Sequence, residues 1–140
     1  MAYIDKSKTD DWRTPIKIYE RFMHENYFDP CPIEPRFDGL AIEWGQRNFV
    51  NPPYSKLKEW TKKAIKESEK GRKVVLLIPS RTDTKAFKML YEYGCVFCFI
   101  IGRLHFNDDK CGAPFASVLV YLIGNGKNEI DYIEKEELEK

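Results

Sequence analysis

The apolar run Val74-Val75-Leu76-Leu77-Ile78 sets the first limit on the fold. It follows the helix breaker Gly71, ends at Pro79, and lacks the alternation of a strand with one wet face. A continuous aliphatic run of this kind fits a central parallel strand buried on both sides. Burial on both sides requires covering layers, and amphipathic stretches flank the run. Residues 56–70 put Leu57, Trp60, Ala64 and Ile65 on one face, with Lys56, Lys62, Lys63, Lys66, Glu59, Glu67 and Glu69 turned outward. After the run, Thr82 or Asp83 can cap a helix whose inner face is Ala86, Phe87, Leu90 and Tyr93. Cys95–Ile101 reads as a further strand, and residues 116–122 as the last one, antiparallel to its neighbour. Upstream, Thr14 as N-cap and Pro15 as first helical residue open a helix with Ile16, Ile18, Tyr19, Phe22 and Met23 inside. The expected fold class is a single three-layer α/β domain, mostly parallel, with an antiparallel last strand.

The chemistry is concentrated in Asn51-Pro52-Pro53-Tyr54. Phe49-Val50 before it reads as the end of a short buried strand, after the hydrophilic turn Gly45-Gln46-Arg47-Asn48. Ser55 after it opens a helical pattern. The segment therefore sits at a strand's carboxyl end, where open α/β sheets place ligands. Two prolines fix two φ angles and remove two N–H donors, leaving a stiff crossing with free carbonyls. The Asn51 side-chain oxygen and the Pro52 carbonyl can each accept one hydrogen of an exocyclic amino group, and Tyr54 can stack on its ring. A Pro-Pro turn capping a helix with Ser55 is the alternative.

Four further words accompany that segment: Trp12-Arg13-Thr14-Pro15, Leu77-Ile78-Pro79-Ser80-Arg81-Thr82-Asp83-Thr84, Gly102-Arg103-Leu104-His105-Phe106 and Ala113-Pro114-Phe115-Ala116-Ser117. In this order they resemble the small, phage-type DNA N6-adenine methyltransferases, over about residues 12–122. The resemblance implies a reduced Rossmann-like fold and S-adenosylmethionine as cofactor. It further implies DNA as partner, rotation of the target adenine out of the duplex, and a cytoplasmic setting in a bacterial or phage-infected cell. It places Asn51, Pro52, Pro53 and Tyr54 at the catalytic centre. Thr14, Pro15, Asp29, Pro30, Cys31, Asp38, Leu40 and Asn51 fall to the cofactor, and Tyr54, Ser55, Arg81, Arg103 and Phe106 to the substrate strand. Phe106 is the expected ring opposite Tyr54. Asp29, at the end of the short strand Tyr27-Phe28, can take an ammonium; it can equally form a turn. Asp38-Gly39-Leu40 resembles a contact to the cofactor's adenine, and a surface turn reads the same way. The glycines usual beside the cofactor are absent, and residues 31–49 are few for a full helix–strand–helix set.

Composition removes other classes. At 140 residues there is room for one core. No apolar run approaches a membrane span, and Met1-Ala2-Tyr3-Ile4-Asp5-Lys6 lacks the apolar stretch of a signal peptide. Cys95 and Cys98 have zinc-knuckle spacing, but strand alternation points them to opposite faces, and Cys31 and Cys111 give no second pair. No metal site is expected. Net charge is +1, with six acidic and two basic residues from Glu129 to Lys140, so the rest of the chain carries +5. Residues 1–11 are expected as a flexible segment, 12–124 as the methyltransferase domain, and 125–140 as an acidic, solvated helical tail. So small a domain leaves little room for a target-reading module, which points to low specificity, a homo-oligomer or a partner. RNA adenine, a protein glutamine amide, and a catalytically eroded DNA-binding module remain as alternatives.

Overall fold

The computed structural model of the chain describes residues 12–108 and 110–140, so the expectation for residues 1–11 lies outside the described part. Its centre is a five-stranded sheet formed by β1 (Arg47–Val50), β2 (Lys73–Pro79), β3 (Cys95–Ile101), β4 (Ser117–Leu122) and β5 (Glu129–Glu134), in the order β1-β2-β4-β3-β5. β1 runs parallel to β2, and β3 parallel to β5, while β4 is antiparallel to both of its neighbours. Four strands thus point one way and β4 alone is reversed.

The alternation of β2 divides the interior in two. Val74, Leu76 and Ile78 face a cluster with Trp60 and Ala64 of α2 (Leu57–Glu69) and Phe87 and Leu90 of α3 (Lys85–Tyr93). Val75 and Leu77 face the other cluster. There they meet Ile18 and Phe22 of α1 (Ile16–His24), together with Leu104, Phe106 and Phe115. The expected α/β layering follows at β2, which has helix or loop on both faces.

Several sequence expectations need correction. The strand at 116–122 is antiparallel as expected, but it is neither last nor at an edge: it lies between β2 and β3. The acidic segment is not simply a helical tail. Ile130 and Tyr132 alternate with Asp131 and Ile133 in register with Phe97–Ile100, and a single helical turn, α4 (Lys135–Leu138), follows. Its carboxylates sit on the open edge of the sheet, so charge disguised the period of a strand. α4 is docked by Arg21, whose guanidinium donates to the carbonyls of Glu137 and Leu138, and Leu138 is buried. Glu67, read as part of the solvated face of α2, is fully buried, ion-paired with Lys63, Lys70 and Arg72, and accepts the Trp44 amide. The cap of α3 is Thr84, not Thr82 or Asp83; its hydroxyl accepts from the Phe87 amide at 3.3 Å. Ile16, expected inside α1, is exposed. The hydrophilic Arg47-Asn48 belongs to β1, because the Asn48 amide is satisfied internally by Gly45 and the Lys73 carbonyl.

No helix among the described residues is long and apolar enough to cross a membrane. No group of three or more His, Cys, Asp or Glu among them could hold a metal ion.

Candidate active site

Asn51 leaves the carboxyl end of β1, Ser80 and Arg81 leave that of β2, and Gly102 and Arg103 leave that of β3. Phe115 precedes the reversed β4, so it reaches the same edge of the sheet. One rim therefore collects residues from four separate segments.

Asn51 is held in one orientation. Its Nδ2 donates to Thr14 Oγ1 at 3.0 Å and to the carbonyl of Trp12. Both amide hydrogens are thereby used, which turns Oδ1 the other way, and Oδ1 is buried with no partner. The Pro52 carbonyl follows it in the chain, and the Pro53 carbonyl is taken by the Lys56 amide. The stiff Pro-Pro crossing ends in a 3-10 turn, Tyr54–Lys56, before α2 begins; Ser55 lies exposed in that turn. Thr14 was expected to cap α1. Its hydroxyl serves Asn51 instead, and the helix opens on the Pro15 carbonyl, which accepts from Ile18 and Tyr19.

Tyr54 stands in an aromatic box. Trp12 stacks on it at 6.0 Å between centroids and 17° between planes, and Phe115 meets it edge-on at 5.4 Å. Phe106 closes the box from behind, 5.8 Å from both Trp12 and Phe115. The ring across from Tyr54 is thus Trp12, with Phe106 one layer back. Burial pushes the Tyr54 phenol well above its ordinary value against the opposing pull of Arg81, and its hydroxyl has no partner. The Arg81 guanidinium lies 5.8 Å over the Phe115 ring. Arg103 donates to the Ala113 carbonyl at 3.1 Å, so it braces the 104–113 loop.

Asp29 ends the short segment that touches β1 through a single parallel bridge between Phe28 and Asn48. Its Oδ1 accepts the Cys31 amide at 2.9 Å, and Tyr19 donates to the carboxylate. Burial raises the Asp29 carboxyl despite those two donors, and no ion pair of the described residues includes it. Asp38 forms the expected turn, accepting the Leu40 amide at 3.0 Å. Gly39 beside it is packed so closely that a Cβ would lie 2.0 Å from the Pro30 carbonyl oxygen and 2.6 Å from the Trp60 ring. The Pro30-Cys31 and Asp38-Leu40 turns are therefore in direct contact, and Leu40 and Cys31 lean on the same core cluster.

Among the described residues, five buried side-chain polar atoms lack a partner: Asn51 Oδ1, Tyr54 Oη, Thr61 Oγ1, Ser80 Oγ and Ser117 Oγ. Four of them lie on the rim, where Ser80 donates its amide to the Ala116 carbonyl and Ser117 pairs with Pro79. Buried polar groups are almost always satisfied within a folded chain, so a cluster of exceptions makes this rim the candidate site. Sequence reasoning missed Trp12 and Phe115 as ring partners of Tyr54, and Ser80 and Ser117 as rim hydroxyls. All four stood inside the motif words, and that is the only signal that could have raised them.

A comparison with curated proteins gives no match. The profile of the DNA N-6-adenine-methyltransferase (Dam) family matches residues 33–135, a span that holds Asn51 to Tyr54, Arg81, Arg103, Phe106 and all five strands. Trp12, Thr14 and Asp29 lie ahead of it. With well over half of its length matched in this way, the chain belongs to the DNA N-6-adenine-methyltransferase (Dam) family.

Proposed function

We propose that this chain transfers a methyl group from S-adenosylmethionine to the N6 amino group of an adenine rotated out of DNA. The single observation that carries the reading is Asn51 Oδ1: a buried acceptor with no partner, on an amide whose two hydrogens are both fixed. The Pro52 carbonyl follows it on the same stiff crossing, and in this reading the two oxygens together receive one amino group. An exocyclic amino group has two hydrogens to offer. Its lone pair is delocalised into the ring, which makes it a poor nucleophile until the nitrogen becomes tetrahedral. Two acceptors fixed beforehand favour that tetrahedral, positively charged nitrogen over the flat ground state. They also aim the lone pair, which supplies an orientation advantage. The surplus proton at N6 is held by these oxygens until it leaves to solvent.

The residues fit the cofactor. Asp29 is a desolvated carboxylate without a cation, as an ammonium site should be, and it sits beside the Asp38 turn at the carboxyl end of the short Tyr27-Phe28 segment. Asp29, with the Cys31 and Leu40 turns, would hold S-adenosylmethionine, and Thr14 would border it through Asn51. When bound, that cofactor supplies an electrophilic methyl. The reversed β4 and the ligand edge accord with a reduced Rossmann-like methyltransferase. Rotating a base out of the duplex costs a few kcal/mol, and stacking on Tyr54 offsets about 1–3 kcal/mol of it. Arg81, exposed on the same rim, is placed for the backbone of the substrate strand.

The test is transfer of radiolabelled methyl to duplex DNA, RNA and protein in parallel, followed by digestion of the product to nucleosides. Label in N6-methyladenine from DNA is the expected result. Label in RNA alone would overturn the DNA assignment. No label in any acceptor, with no cofactor binding by calorimetry, would identify a non-catalytic relative.

A further inference from the structure

Tyr54 has an aromatic neighbour that the family match does not reach. Trp12 precedes residue 33, where the match begins, and it belongs to no helix or strand. Its ring nevertheless lies nearly parallel to Tyr54, with 17° between planes and 6.0 Å between centroids. Two rings that sandwich a base need about 7 Å between planes, twice the roughly 3.5 Å of optimal carbon contact. The planes can be no farther apart than the 6.0 Å between centroids, so the slot is too narrow for a base as it stands. We propose that Trp12 is the wall opposite Tyr54, and that the acceptor adenine enters between the two rings by displacing Trp12. The inference rests on the adenine-methylation reading and extends it to a residue with no assigned role.

Two features make Trp12 the movable side. Tyr54 follows two prolines and opens a helix, so its backbone is fixed. Trp12 sits on an irregular strap, and two of the strap's ties to the body bear on the slot. One is the reciprocal pair between Arg13 and Asn107, in which the Arg13 amide donates to Asn107 Oδ1 at 2.8 Å and the Asn107 amide to the Arg13 carbonyl at 2.9 Å. The other is the Trp12 carbonyl itself, which accepts from Asn51 Nδ2. That second tie joins the wall to the catalytic acceptor. A shift of the strap that widens the slot also bears on the amide that must meet the base. Phe106 and Phe115 touch Trp12 edge-on, at 5.8 and 5.4 Å, so they limit how far it retreats. An electron-rich indole on one face and a phenol on the other select a flat, polarisable ring over an aliphatic amide, which favours a nucleobase over a glutamine side chain.

The experiment uses the full chain with DNA free of N6-methyladenine, and compares the wild type with Trp12→Ala and Trp12→Phe. Trp12→Ala should raise KM for DNA roughly tenfold, the loss of one base–aromatic stack, with cofactor affinity by calorimetry unchanged. Trp12→Phe should recover most of that loss, which a role in packing alone would not give. DNA should quench tryptophan emission in the wild type and leave the Trp12→Phe protein unaffected, because Trp44 and Trp60 are buried in the cluster on the other face of the sheet. A Trp12→Ala enzyme with wild-type KM, or a Trp12→Phe enzyme as impaired as the alanine variant, would overturn the wall while the methylation reading stood. A wild type that labels RNA or protein but not DNA would remove the reading and this inference together.

Discussion

Truncating Asn51 to alanine removes a buried oxygen that has no partner and an NH2 group that has two. The two losses act on stability with opposite signs. Each lost hydrogen bond forfeits about 0.5–1.5 kcal/mol, so the pair contributes roughly 1–3 kcal/mol. The orphaned Oδ1 costs about 1–3 kcal/mol of desolvation in the folded state, and that cost disappears with the side chain. The terms nearly cancel, and Asn51→Ala should change the unfolding free energy by no more than about 1–2 kcal/mol. Catalysis has no such cancellation: losing one preorganised acceptor lowers kcat by about 10²–10³. The expected phenotype is a protein that unfolds almost as the wild type does, binds cofactor within a few-fold, and barely transfers methyl. Urea unfolding followed by circular dichroism gives the first quantity, calorimetry the second, and label incorporation at saturating DNA the third. Near-normal turnover would refute the role given to Oδ1. A stability loss well beyond 3 kcal/mol would refute the claim that the oxygen is held at a cost for a ligand. Asn51→Asp keeps an acceptor on the ligand side but turns an oxygen towards the Trp12 carbonyl, so its activity should fall between wild type and alanine.

Asp29→Asn should weaken S-adenosylmethionine about 10–100-fold by calorimetry, through loss of a charged hydrogen bond. It should leave the melting temperature unchanged or raised, because the carboxylate it replaces is desolvated without a cation; unchanged cofactor affinity would refute the ammonium site. Glu67→Ala strands Arg72, Lys63 and the Trp44 amide and should cost roughly 3–5 kcal/mol in denaturant unfolding. Burial raises the Glu67 carboxyl, but the bonds from Arg72, Lys63, Trp44 and Lys70 outweigh it and bring its pKa from 4.5 to about 2. A folded value below the unfolded one gives stability that is present above pH 4.5 and lost as pH falls towards about 2. The wild-type advantage over Glu67→Gln should therefore shrink across that window, and an advantage independent of pH would refute the linkage. Gly39→Ala drives a Cβ to 2.0 Å from the Pro30 carbonyl oxygen and 2.6 Å from the Trp60 ring. It should separate the Asp29 and Asp38 turns, costing about 1–3 kcal/mol of stability and lowering cofactor affinity with it; an unchanged melting temperature would refute that packing.

Local physics wrote several parts of this protein directly into its sequence. The run Val74 to Ile78 reads as a parallel strand buried on both sides, and it is the strand that divides the two cores, though it is parallel to β1 and antiparallel to β4. Asn51-Pro52-Pro53-Tyr54 had to be a stiff crossing, because proline removes donors and fixes φ whatever surrounds it. Properties that depend on distant partners were not legible. Glu67 reads as one more solvated charge on α2 until Arg72 and the Trp44 amide are brought to it. Thr14 reads as a helix cap until Asn51 arrives from 37 residues away and takes its hydroxyl. The strand at Glu129–Glu134 was hidden because an open sheet edge tolerates acidic side chains, so its composition followed solvent exposure while its conformation followed β3. Phe106 was placed opposite Tyr54 by position in a motif, and the packing gave that place to Trp12. Residue type and spacing determine which chemistry a chain can carry. Which side chains meet, and which oxygen is left without a partner for a ligand, is decided only when the sheet edge gathers them.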